Sequence, residues 1–141
     1  MEIRVKKLNT RAEITHGSTY AAGYDLHAIE DIAIDPGTTT MARTGLAMEI
    51  PQGYFGGIYA RSSLASKQGI RPANCVGVVD SDYRGEVMVA LFNDSEKPVL
   101  IKRGERIAQL IVQRYQELEI VYVNSLDETE RGTGGFGSTG V

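Results

Sequence analysis

The stretch Gly77-Val78-Val79-Asp80-Ser81-Asp82-Tyr83-Arg84-Gly85-Glu86 decides how this chain is read. Two β-branched residues run straight into a polar segment carrying two carboxylates and an aromatic ring. An apolar run, Glu86 to Asn93, begins where the polar segment ends. That order predicts strand, tight turn, strand: a hairpin with Asp80, Asp82 and Tyr83 at its tip. Asp, Ser and Gly are also ordinary turn residues, so the segment alone reads equally well as a plain turn. Its surroundings shift the balance.

Upstream, Tyr54 to Ala60 reads as a strand in which Gly56-Gly57 marks either a bulge or a close backbone approach. Before it, Thr38 to Ile50 is β-branched and apolar, bounded by Asp35-Pro36-Gly37 and Pro51-Gln52-Gly53. Ile29 to Ile34 alternates, Thr15 to Gly23 is small and polar and reads as loop, and Ile3 to Leu8 is a short extended segment. Arg61 to Lys67 is the one plausible helix, with a serine expected as its N-cap. Downstream come Val99 to Ile101, a turn at Lys102-Arg103-Gly104, Arg106 to Gln113, and Leu118 to Val123. Many short strands at turn-marked intervals predict an all-β sandwich, barrel or jelly roll. Glu86 to Phe92 and Ile107 to Val112 are almost continuously apolar, which calls for cover on both faces and points to an oligomer. After Val123 the composition turns polar and then glycine-rich. The expected division is a β domain over 1–123 and a linker with a C-terminal arm over 124–141.

The 141 residues suit one domain with a real core. A net charge of −3 offers no basic footprint for a nucleic-acid polymer. Cys75 stands alone, so neither an internal disulfide nor a cysteine-rich zinc site is available. His16 and His27 lack metal-ligand spacing and read as surface or loop residues. No apolar run reaches membrane length, and the charged, alternating start does not resemble a signal peptide. The expected compartment is the cytoplasm.

Several polar stretches between strands have groups suited to a nucleoside triphosphate. Arg61-Ser62-Ser63 combines a guanidinium, two hydroxyls and a helix start, the makings of an anion site or simply a cap. Asp25 is either a turn carboxylate or a group holding hydrated Mg²⁺. Gln109, inside an apolar run, needs a partner, either a ligand or a neighbouring turn. Gly132, Gly134 and Gly137 satisfy G-x-G-x-x-G, but no strand–helix unit surrounds them, which excludes a dinucleotide fold. A glycine-rich end is ordinarily flexible. Arg131 and Phe136 give this one a guanidinium for phosphate and a ring for a base, so it is also a candidate lid.

Taken in order, five segments resemble the motifs of the homotrimeric dUTP pyrophosphatase (dUTPase) family over nearly the whole chain. They are Ala21 to Ala28 (AAGYDLHA), Ala60 to Ala65 (ARSSLA), Gly77 to Val87 (GVVDSDYRGEV), Arg103 to Val112 (RGERIAQLIV) and Arg131 to Gly140 (RGTGGFGSTG). Ser63 departs from the glycine common in the family at that position. The resemblance implies a jelly-roll subunit, a homotrimer whose sites are shared among subunits, and Mg²⁺-assisted hydrolysis of dUTP to dUMP and pyrophosphate. It makes Asp80 the base that activates water, Tyr83 the platform under the deoxyribose, and Asp25 the holder of metal-bound water. Asn74 and the backbone of Gly77, Val78 and Val79 would read uracil, with Met88 close by. Arg61, Ser62, Ser63 and Gln109 would hold phosphates, while Arg131, Phe136, Gly137 and Ser138 would close over the nucleotide. The nearest enzyme rival is a dCTP deaminase, which resembles this fold and shares an RSSLA-like segment. Asp80 with Tyr83, the context of Asp25 and the aromatic tail favour the pyrophosphatase. A binding or regulatory protein on the same scaffold is the other class of answer. An additional regulatory protein partner is compatible with an intact site.

Overall fold

Turn residues cut the chain into short extended pieces, and a computed structural model describes residues 1–136 of it. The elements are β1 (Arg4–Lys7), β2 (Ile14–His16), β3 (Tyr24–His27), β4 (Ile32–Ile34), β5 (Thr39–Arg43), β6 (Leu46–Glu49), β7 (Tyr54–Tyr59), α1 (Ser62–Gln68), β8 (Ile70–Pro72), β9 (Gly77–Val79), β10 (Met88–Asn93), β11 (Val99–Ile101) and β12 (Arg106–Arg114). Four sheets result: β2-β3-β12-β7-β9, β5-β10-β8, β1-β6 and β4-β11. All pairings are antiparallel. The all-β, jelly-roll-like class read from the sequence is what the chain adopts.

Leu26, Ile34, Leu46, Leu91, Ile101, Ile107 and Leu110 are fully buried and tie the sheets around one core. Gly56 sits where two of these layers meet. A Cβ there would lie 2.8 Å from Ile50 Cδ1 and 2.9 Å from Leu110 Cδ1. Of the two readings of Gly56-Gly57, the close approach is the correct one, because β7 keeps an unbroken register with both β9 and β12. Gly56→Val is therefore expected to overpack the core and lower stability by roughly 1–3 kcal/mol in denaturant unfolding. An unchanged midpoint would show that this layer has slack.

Several local expectations are corrected. The segment after Val79 is not a hairpin turn: β9 pairs with β7, while β10 pairs with β5 and β8 in another sheet. Residues 80–87 thus cross between sheets. Thr38 to Ile50 is broken by Gly45, whose φ of 67° ends β5 and lets β6 start afresh. Thr15 and His16 belong to β2 rather than to a loop. The helix N-cap is Arg61, and no side chain caps it; Ser62 already has its place in the first turn.

His27 is buried at 8% exposure instead of lying on the surface, because Thr15 Oγ1 and the Gly104 carbonyl, at 2.8 and 2.9 Å, satisfy its two ring nitrogens. His16 remains exposed and stacks on Tyr24. Leu118 to Val123 forms no strand: among the described residues no strand pairs with it, and Leu118, Ile120, Val121 and Tyr122 are exposed. The two apolar strands are covered fully on one face only by this chain, with Met88 of β10 exposed and Ile111 of β12 partly so, while Val112 packs against the core.

Candidate active site

One half of the site grows from the pairing of β3 with β12. Their register sets Asp25 directly opposite Gln109. Arg61, at the end of β7 where the chain turns into α1, reaches across and donates from Nε to Asp25 Oδ1 at 2.8 Å. Arg106 approaches the other oxygen, Nη1 to Oδ2, at 3.4 Å. The Asp25 side chain is only 13% exposed, so this carboxylate is held between two guanidiniums away from most water. Two cations around one anion leave the corner with a net positive charge, suited to phosphate.

Gln109 finds the partner its burial demands: Nε2 donates to the Ala60 carbonyl at 2.9 Å. Its side chain lies across Gly23, where a Cβ would come within 2.5 Å of Gln109 Oε1 and force that amide to shift. With Ser62 these groups line a depression of about 290 Å³. Ser63 is exposed on the next helical position and does not line it.

The other half is the crossover after β9. The Asp80 carbonyl accepts from Tyr83 N at 3.2 Å, and Arg84 Nη1 donates to the Ser81 and Tyr83 carbonyls at 2.7 and 3.1 Å. Tyr83 is 45% exposed, yet its hydroxyl is fixed on the Glu86 carbonyl at 3.0 Å. Glu86 anchors the far end. Its Oε2 accepts from Arg43 Nε and Nη2, both at 3.1 Å, and its Oε1 accepts from Gly45 N at 2.8 Å. The bond to Glu86 pushes the Arg43 guanidinium still further toward its charged form. A backbone bond from Val87 N to the Leu46 carbonyl at 2.7 Å completes the anchor. Asp80 is thus presented to solvent on a short, doubly braced segment.

Just before Asp80, β9 is the outermost strand of its sheet, so among the described residues one of its backbone edges has no strand beside it. Val78 is exposed and Val79 buried, while Asn74, in a tight turn held by Cys75 N to the Pro72 carbonyl, places its amide near Gly77. Met88 is 43% exposed. Asn74, Gly77 to Val79, Asp80 and Tyr83 therefore share one continuous segment.

The two halves do not meet within one chain. Asp80 lines a broad depression of about 820 Å³ together with Asp82, Arg84 and Glu49. Asp25, Arg61, Ser62 and Gln109 line another. In the arm, Arg131 Nε donates to the Gly134 carbonyl at 2.8 Å and Phe136 stands fully exposed. Gly137 and Ser138 lie outside the described residues. Sequence reasoning passed over Arg106, whose only signal was a cation at the start of an apolar strand.

A β scaffold that holds one carboxylate between two guanidiniums and offers a second on a braced segment beside a free strand edge defines a protein built for phosphates and a flat ring. A family model described as dUTPase matches residues 10–140, and the chain belongs to the dUTPase family. It is 50% identical over 141 residues to the deoxyuridine 5′-triphosphate nucleotidohydrolase of Nautilia profundicola, covering 99% of each chain. It also resembles the solved dUTPase of Staphylococcus bacteriophage 80alpha with dUPNHPP, at 28% identity and a TM-score of 0.92 over 99% of each chain. A mutant dUTPase from phage phi11 of S. aureus, which coordinates a structural Mg(II) ion, matches in fold alone. Its identity is 21% and its TM-score 0.81, over 89% of this chain and 98% of that one.

Proposed function

We propose that this protein hydrolyses dUTP to dUMP and pyrophosphate in sites shared between the subunits of a homotrimer. The carrying observation is the division of the machinery: the Asp80 segment and the Asp25–Arg61 corner line separate depressions of one chain. A second copy that brings another chain's corner to Asp80 completes the site. Exposed apolar groups support such an assembly, with Val78 and Met41 at 61% and 50% exposure and the unpaired run from Leu118 to Val123. The 124–141 arm, with Arg131, Phe136, Gly137 and Ser138, closes over the nucleotide from the third subunit. Among the described residues no helix is long and apolar enough to cross a membrane. We place the enzyme in the cytoplasm.

The chemistry follows from the residues. Asp80 takes a proton from water as the water oxygen adds to the α-phosphorus, and the α–β bridging oxygen leaves with pyrophosphate. Arg61, Ser62 and Gln109 hold the phosphate chain so that the displacement stays in line. The outer edge of β9 and Asn74 present fixed donors and acceptors to uracil; cytosine reverses these at its own edge and leaves them unpaired. Tyr83, pinned through its hydroxyl, packs against the sugar and leaves no room for a 2′-hydroxyl.

Among the described residues no group of three or more His, Cys, Asp or Glu is arranged to hold a metal. Both Asp25 oxygens are already engaged by arginines. This donor set fits an ion carried by the triphosphate, with Asp25 reaching it through water, the usual habit of Mg²⁺. When bound, Mg²⁺ neutralises phosphate charge and helps orient the chain for attack.

A pyrophosphate-release assay across dUTP, dTTP, dCTP and UTP tests this reading. Release from dUTP with little from the others is expected, and a chain inert toward dUTP sinks it. Ammonia from dCTP would mark the deaminase instead. In the same assay Tyr83→Ala is expected to lower the dUTP/UTP ratio of specificity constants by roughly tenfold or more. An unchanged ratio would make Tyr83 a mere turn residue.

A further inference from the structure

Resting on the dUTP reading above, we infer that Gly85 is a specificity-determining position: its missing side chain is the bed that fixes where the Tyr83 ring stands against the sugar. A glycine in a polar connection ordinarily serves a left-handed φ. Gly85 takes no such φ, unlike Gly37, Gly45 and Gly104. What the bare position supplies is space. A Cβ on Gly85 would collide with Tyr83 Oη and lie 2.6 Å from its Cζ and 3.0 Å from its Cε2. The Tyr83 ring thus rests directly on the backbone of residue 85, and its hydroxyl donates to the Glu86 carbonyl one residue on, at 3.0 Å.

The backbone under the ring is held from both sides. On one side Arg84 Nη1 donates to the Ser81 and Tyr83 carbonyls, and its Nη2 lies 3.8 Å from Glu49 Oε1 on β6. On the other side the Glu86 carboxylate accepts from Arg43 and Gly45 N, and Val87 N donates to the Leu46 carbonyl. A methyl group at residue 85 therefore meets fixed backbone beneath it and, above it, a side chain whose far end alone can yield. Carbon atoms settle about 3.5–4.0 Å apart, so the ring must lift by roughly 1 Å and its hydroxyl must leave the Glu86 carbonyl. Gly85 and Tyr83 are both exposed, so the core is not disturbed. A shift of about 1 Å in a substrate-positioning group is enough to cost roughly 10²-fold in rate. Gly85 acts through Tyr83; it is a positioning residue.

The test compares full-length wild type, Tyr83→Ala, Gly85→Ala and the double variant, measuring kcat/KM on dUTP and UTP and thermal melting. Gly85→Ala is expected to melt as the wild type does. Its dUTP/UTP ratio of specificity constants should fall by roughly tenfold or more, approaching that of Tyr83→Ala. The double variant should match Tyr83→Ala within about twofold, because without the ring the added methyl strikes nothing.

An unchanged ratio in folded Gly85→Ala, the result of a merely structural role, overturns the inference. So does a double variant in which the two losses add, since the methyl would then act through the backbone. If Gly85→Ala does not fold, the double variant decides. Folding restored by removal of the ring supports the inference, and two unfolded variants refute it. Wild-type turnover of dUTP is measured alongside. Its absence would count against the proposed function. An active wild type with a sensitive Tyr83→Ala and an insensitive Gly85→Ala would count against this inference only.

Discussion

Asp80→Asn is expected to fold and bind dUTP as the wild type does while losing at least roughly 10²-fold in kcat, the usual contribution of a positioned general base. The amide keeps the shape of the carboxylate but cannot accept the proton of the attacking water. Its surroundings favour a clean experiment: Asp80 is exposed, and the bond that shapes the segment there uses its backbone carbonyl rather than its side chain. Structure should therefore survive the substitution. Single-turnover kinetics with calorimetric binding of the imido analogue separate the two parameters. Near-normal turnover would move the base to another residue, with neighbouring Asp82 the first to examine.

The second large effect concerns the assembly. A chain ending at Glu130 lacks Arg131 and Phe136, and alone it should be nearly inactive, as should Asp80→Asn. Refolded together in equal amounts, the two are expected to recover about a quarter of wild-type activity. Random mixing makes about three quarters of the trimers mixed, and each mixed ring contains one junction that joins an intact Asp80 to a neighbour's arm. If each arm instead folds over its own chain's Asp80, no mixed trimer has a complete site. Background activity, with mixed trimers confirmed by native mass spectrometry, would refute the shared site and leave the family assignment untouched.

Much of this was legible from local pattern. Val99–Ile101 forms a strand where the apolar run stands, and the turns at Asp35 and Lys102 fall where their residue types require. Gln109 announced itself as a polar side chain in an apolar strand, and the Ala60 carbonyl answers it. What stayed hidden depends on partners distant in sequence. Nothing in the order of residues 77–93 says that β9 pairs backward with β7 while β10 joins β5 and β8, because periodicity fixes a strand's faces and not its neighbours. His27 looked like a surface residue because one of its partners, Gly104, lies 77 positions away. The bulge at Ile107 escaped for the same reason: a run such as Arg106-Ile107-Ala108-Gln109 reads as regular strand until the opposing residues are known.

The exposed run from Leu118 to Leu126 bears on how such a protein is kept in a cell. A free subunit displays an extended, unpaired apolar segment, which chaperones and proteases recognise as unfinished. If assembly covers that segment, each chain's lifetime becomes a function of how many sister chains are present. Orphan subunits would be cleared and completed trimers spared, so the pool of finished enzyme would be proofread by its own stoichiometry.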